Sequence, residues 1–183
     1  SGDKFFRSAN GVTIRAPLAN VNDTGVIDGV TYTKVDSDPG ETDAPTSVTT
    51  GVTDMASWFL FSSFNGDISH WDTSSVTDMS SMFWVARAFN QPLGSWDVSS
   101  VTEMNSMFQG AVAFNQPIDT WDTSQVERFN SMFENALTFN QPLGSWDLSS
   151  ATQTNDMFRG AHAFNQPIGG WDTSGVTTMD YKF

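Results

Sequence analysis

Phe89-Asn-Gln-Pro-Leu-Gly-Ser-Trp-Asp-Val-Ser-Ser-Val-Thr-Glu-Met-Asn-Ser-Met-Phe108 decides the architecture, because the same text returns every 25 residues. Trp-Asp stands at Trp71-Asp72, Trp96-Asp97, Trp121-Asp122, Trp146-Asp147 and Trp171-Asp172. Phe-Asn keeps the same register at Phe64-Asn65, Phe89-Asn90, Phe114-Asn115, Phe139-Asn140 and Phe164-Asn165. Gln-Pro follows it in every copy but the first, which reads Gly66-Asp67. Met-Phe recurs at Met82-Phe83, Met107-Phe108, Met132-Phe133 and Met157-Phe158. Trp58-Phe59 opens that series and Lys182-Phe183 closes it.

A tandem unit of this length cannot bury its own apolar face, whereas stacked units can. The period lies in the roughly 20–29-residue range of leucine-rich repeats and falls short of the roughly 40 residues of a propeller blade. Within one unit, Ser95 to Ser99 alternates, which predicts a short strand with Trp96 and Val98 inward and Asp97 and Ser99 outward. Val101, Met104, Met107, Phe108, Ala111 and Phe114 follow at spacings of three and four, which predicts a short helix or 3₁₀ turns. Ser75-x-x-Asp78, Ser100-x-x-Glu103 and Ser150-x-x-Gln153 read as capping boxes for it. Gly110 and Gly160 fit its end, where a positive φ is needed. Asn90-Gln91-Pro92 is the turn back. The expected fold class is therefore an α/β solenoid, leucine-rich-repeat-like and right-handed. It has a parallel sheet on one face, short helical or 3₁₀ segments on the other, and a small β N-terminal cap. Stacked Trp and Met-Phe columns fill its core.

Outside the repeats the text changes. Residues 1–50 are the expected cap: Asn10-Gly11 and Asp28-Gly29 are hairpin signals, the second flanked by Val26-Ile27 and Val30-Thr31-Tyr32-Thr33. Asp36 to Asp43 carries four carboxylates in eight residues but lacks the pattern of an EF-hand loop, so it reads as an exposed linker. Residues 51–183 hold five 25-residue repeats and a partial sixth ending at Tyr181-Lys-Phe183. With no cap visible there, the expectation is that the chain continues or that a partner covers the end.

Composition limits the function. Of 183 residues, 8 are Lys or Arg and 21 Asp or Glu, giving a net charge of −13. Such a chain lacks the basic footprint of a nucleic-acid binder and the basic patch that docks on anionic lipid. The absence of cysteine removes disulfides, thiolate metal sites and thiol catalysis. The longest apolar run, Trp58-Phe59-Leu60-Phe61, is far short of a membrane span.

The quoted repeat resembles the BspA-like family of bacterial surface leucine-rich-repeat proteins, in its mycoplasma-lipoprotein-type branch. Asn10-Gly-Val-Thr-Ile14 and Asp23-Thr-Gly-Val-Ile-Asp-Gly-Val-Thr-Tyr-Thr-Lys34 are similar to the segment that often precedes such repeats. The resemblance implies a secreted or surface-attached protein, in some members adhesive toward host proteins or other cells, with no shared enzymatic activity. Phe129 and Thr154 depart from the pattern by replacing the Met of Met104.

No catalytic residue emerges. His70 and His162, the only histidines, stand in columns that vary between copies, are expected to be exposed, and build no dyad or triad. The chain is expected not to be an enzyme and to need no cofactor. The notable column is Asp72, Asp97, Asp122, Asp147 and Asp172. Stacked about 4.8 Å apart, neighbours would repel by about 0.9 kcal/mol in water. Three arrangements would offset this: backbone N–H bonds to each Asp, a calcium ladder along the five carboxylates, or a basic protein ligand on the face. Ser74, Ser99, Ser124, Ser149 and Ser174 lie two residues on and could join either kind of site. The expected function is extracellular or cell-surface adhesion or protein recognition through the sheet face, with Asp97, Ser99, Asp122, Ser124, Asp147 and Ser149 as ligand-binding residues. The ligand would be a protein on another cell or host surface, or a second copy. The alternative is a calcium-dependent self-associating structural module. A third reading, glycan binding, rests on Trp84, which stands where other copies have Gln109, Glu134 and Arg159. Thr77, Thr102, Thr152 and Thr177 form a column broken by Glu127 and carry no regular ligand array.

Overall fold

The computed structural model describes residues 4–178 and residue 180. Tyr181-Lys-Phe183 lies outside the described residues. Among the described residues, all regular elements precede the repeats. Strands β1 (Phe6–Arg7) and β2 (Ile14–Arg15) pair antiparallel. Strands β3 (Thr24–Ile27) and β4 (Val30–Lys34) form an antiparallel hairpin, and β5 (Ser47–Val48) adds to β4 in parallel. The hairpin turns on Asp28 and Gly29, both with positive φ, 49° and 81°, as a two-residue Asp-Gly turn requires. Asn10 shapes the other loop by accepting the N–H groups of Val12 and Thr13. One four-residue helix, α1 (Gly40–Asp43), and a 3₁₀ turn at Ala44–Thr46 complete the list, the former within the acidic segment read as a linker.

The expected α/β solenoid is overturned. Among the described residues from 51 onward there is no strand and no helix, hence no parallel sheet face, no helical face and no leucine-rich-repeat architecture. The repeats are built of turns. Trp96 N–H returns to the carbonyl of Leu93 at 3.1 Å and Val101 N–H to that of Val98 at 2.9 Å, so Ser95–Ser99 runs between two turns and forms no strand. Its alternation survives as burial alone: Trp96 and Val98 are buried and Asp97 is exposed.

The segment read as a helix fails for a second reason. Ser81 and Val85 both have φ 57°, as do Phe61 and Ser106; Gly110 has 67° and Gly160 68°. A left-handed residue every four positions interrupts the continuous right-handed backbone that an α-helix needs. Alternate N–H groups instead bond to the next repeat: Met79 to Glu103 O, Ser81 to Asn105 O, Phe83 to Met107 O and Val85 to Gln109 O, at 2.7–3.0 Å. The intervening N–H groups of Met82, Trp84 and Ala86 turn back three residues. Asp78, Glu103 and Gln153, the supposed capping residues, stand instead in a row of single parallel bridges that runs Asp54, Asp78, Glu103, Arg128, Gln153, Thr178. Gly110 and Gly160 have the positive φ expected of them, but no helix ends there.

The core is a set of columns. Trp71 and Trp96 stack with centroids 6.2 Å apart, as do Trp121 and Trp146. Phe59, Phe83, Phe108, Phe133 and Phe158 stack in sequence at 5.4–5.7 Å. Each Trp of the series 96, 121, 146 and 171 donates Nε1–H to a carbonyl 28 residues back, at 2.9–3.1 Å, so the indole is buried without losing its hydrogen bond. The Asn-Gln-Pro text has its own ladder: Asn90 Oδ1 accepts Asn115 N–H and Gln116 Nε2, both at 3.0 Å, and Asn115 and Asn140 repeat the pattern. Phe129 fills its Met position, buried against Trp146 at 5.8 Å.

Candidate functional site

The Trp-Asp text positions the carboxylates. Burial of each Trp fixes the backbone just before the Asp, and each Asp closes a turn onto the residue two further on. Asp97 Oδ1 accepts Ser99 N–H at 3.1 Å and Ser99 Oγ–H at 2.6 Å. Asp122 accepts Ser124 N–H at 3.1 Å, Asp147 accepts Ser149 N–H at 2.8 Å and Asp172 accepts Ser174 N–H at 2.9 Å. These are Asx turns, in which a short acidic side chain imitates the backbone. Asp97, Asp122, Asp147 and Asp172 are exposed. In all four the oxygen that accepts the backbone N–H is Oδ1.

The bonds tune the charge. Asp147 is held below its ordinary carboxylate range by the Ser149 hydroxyl and then by the Ser149 N–H, against opposing effects of burial and of Asp172. Asp172 is lowered first by the N–H of Ser174 and then by its hydroxyl. Both are therefore anionic at neutral pH.

Asp72 differs from the other four. It is 4 % exposed and faces Arg15 Nε at 3.3 Å, while Ser74 Oγ–H donates to its Oδ1 at 2.7 Å. It belongs to the junction with the N-terminal sheets. His70 belongs there too and is not exposed as expected: it is 7 % exposed, with Nε2 2.9 Å from Ser47 O and the ring 5.2 Å from Tyr32. Burial lowers its pKa. Ile14 N–H to His70 O at 2.8 Å and Trp71 Nε1 to Ala44 O at 3.1 Å complete the seam. Sequence reasoning missed this seam, although the first copy's own departures, His70 and Gly66-Asp67, mark it. His162 is exposed.

The chosen ligand-binding set Asp97, Ser99, Asp122, Ser124, Asp147 and Ser149 thus shares one column, but each Ser serves its own Asp. Among the described residues, no three Asp, Glu or His side chains gather as a metal ion would need. The Thr column is likewise engaged internally: Thr77, Thr102, Thr152 and Thr177 each direct Oγ1 to a carbonyl of the preceding repeat at 3.1–3.3 Å. No helix among the described residues is long and apolar enough to cross a membrane.

The family model described as "Mycoplasma protein of unknown function, DUF285" matches residues 41–121 and again residues 93–183. The two matches overlap and together span well over half of the chain, which belongs to this family. No curated protein and no solved structure matches it.

Proposed function

We propose that this member of the DUF285 family is an extracellular, cell-surface recognition module that binds a basic protein surface along Asp97, Asp122, Asp147 and Asp172. One observation carries this reading: four exposed carboxylates in register, each with Oδ1 tied into its own turn and its charge facing solvent. A row fixed in this way loses little side-chain freedom on binding, and preorganisation raises affinity by reducing that loss. The net charge of −13 adds long-range attraction toward basic partners and opposes association with a second copy. The resemblance of the repeat text to BspA-like surface proteins supports the location and the adhesive role.

The test uses Asp→Asn changes, since an amide oxygen still accepts the Ser N–H and preserves the turn. The labelled wild-type chain and the triple variant Asp97→Asn, Asp122→Asn, Asp147→Asn are applied to cultured cells and to a panel of extracellular-matrix proteins at physiological and high salt. Salt-sensitive binding lost in the variant is the expected result. Equal binding by both chains would refute the reading.

Calcium-dependent self-association through Asp97, Asp122, Asp147 and Asp172 is the second reading; Asp72, expected in the same ladder, is buried against Arg15 and drops out of it. What favours it is that Asp172 opposes the ionisation of Asp147, a repulsion that a divalent cation between the two would relieve.

A further inference from the structure

On another edge of the repeats lies a depression of ≈ 360 Å³, lined by Trp84, Arg87, Gln109, Gly110, Asn135 and Leu137 among others. Its size is within the roughly 300–1,000 Å³ of small-ligand sites. The edge is where the copies disagree. The core columns repeat Trp, Phe and Met, whereas this one reads Leu60, Trp84, Gln109, Glu134, Arg159. Core packing therefore does not dictate these residues.

Trp84 lies outside the core cluster that includes Trp58, Trp71, Trp96, Trp121, Trp146 and Trp171. It is half-buried and braced by Phe61, whose ring lies 5.5 Å away at 38°. Gly110 keeps the floor open, since a Cβ there would come within 3.2 Å of Val85 Cγ2. Gln109 is oriented by its bond to Glu134 Oε2 at 2.8 Å, which leaves its carbonyl oxygen available. Asn135 is exposed. Arg87 is also exposed, and among the described residues it makes no ion pair. In a chain with 21 acidic and 8 basic residues, the lining holds a guanidinium and no carboxylate.

We infer that this depression binds a carboxylate-bearing sugar. The indole offers a flat apolar face for the C–H side of a pyranose ring. The amides of Gln109 and Asn135 supply donors and acceptors for hydroxyl groups. The Arg87 fork matches a carboxylate in a bidentate manner. Apolar contact, hydroxyl recognition and one positive charge outside any ion pair occur together here. The site is separate from the Asp row and does not depend on its function.

The experiment is a titration of the full chain followed through the indole N–H resonance of Trp84. Probes are 3′-sialyllactose and a hyaluronan tetrasaccharide, set against the neutral lactose and chitotetraose. The acidic probes should shift that resonance and bind more tightly than the neutral ones. Arg87→Gln, an exposed change that leaves the packing alone, should weaken acidic binding about tenfold or more and bring acidic and neutral probes together. Trp84→Ala, followed through the side-chain amide resonances of Gln109 and Asn135, should abolish binding, with an unchanged circular dichroism spectrum confirming the fold. The inference is overturned if no acidic probe moves the resonance at millimolar concentration. Neutral probes binding as well as acidic ones, or an indifferent Arg87→Gln, would overturn it equally.

Discussion

The Nε1–H of Trp121 donates to the carbonyl oxygen of Leu93 at 3.0 Å, and that same oxygen accepts the N–H of Trp96. One carbonyl thus closes the turn of its own repeat and anchors the indole of the next. Trp121→Phe keeps most of the stacking and leaves the carbonyl its turn bond, so the expected cost is about 1 kcal/mol. Trp121→Ala also opens a cavity and should cost about 3–5 kcal/mol. Urea denaturation of both variants checks the ratio.

Val85 has a positive φ in the column that holds Gly110 and Gly160. A β-branched residue there is strained by about 1–2 kcal/mol. Val85→Gly should therefore raise stability by up to about 1 kcal/mol despite the freedom glycine gains in the unfolded chain. Gly160→Ala should do the reverse, because φ is 68° there and an added Cβ would also run into the Asn135 side chain. Opposite shifts in melting temperature are the expected outcome.

Thr154 is fully buried and its Oγ1 has no hydrogen-bond partner. Thr154→Val is nearly isosteric and removes the unsatisfied hydroxyl, for an expected gain of about 1–3 kcal/mol. A calorimetric melt that fails to rise would show that the hydroxyl is satisfied in solution.

Asp147 and Asp172 have lowered pKa values in the folded chain, against an ordinary value of 3.8. A carboxylate depressed on folding contributes stability that is complete above the unfolded pKa and lost as pH falls through the folded one. The melting temperature should accordingly fall as pH drops below about 4. Asp147→Asn, which keeps its turn but does not titrate, should show a shallower fall.

Part of this was legible in the sequence. The 25-residue register of Trp, Phe and Met identified the core columns, and Asp28-Gly29 identified the hairpin. The inward and outward positions of Trp96, Asp97 and Val98 were legible as well. Secondary structure in the repeats was not. Burial of Met79, Met82, Phe83 and Ala86 imitates a helix face, but the N–H groups of Met79, Ser81, Phe83 and Val85 bond between repeats. Periodicity reports which side chains are buried and is silent about where the backbone bonds go. The left-handed positions at Ser81 and Val85 settle that: Ser and Val give no sign of it, and Gly110 and Gly160 in the Val85 column fit a helix end equally well. At the candidate site, the Asp-x-Ser spacing held the Asx turns. Arg15 beside Asp72 joins residues 57 apart, which no local pattern encodes.

The most direct test of the Asp row is an equilibrium titration of the chain with an extended peptide of alternating Arg and Ser, monitored by backbone amide shifts. The account predicts salt-sensitive binding centred on residues 97, 122, 147 and 172, equal in calcium and in chelator and lost in the triple Asp→Asn variant. Binding that persists in that variant, or shifts that map elsewhere, would contradict it.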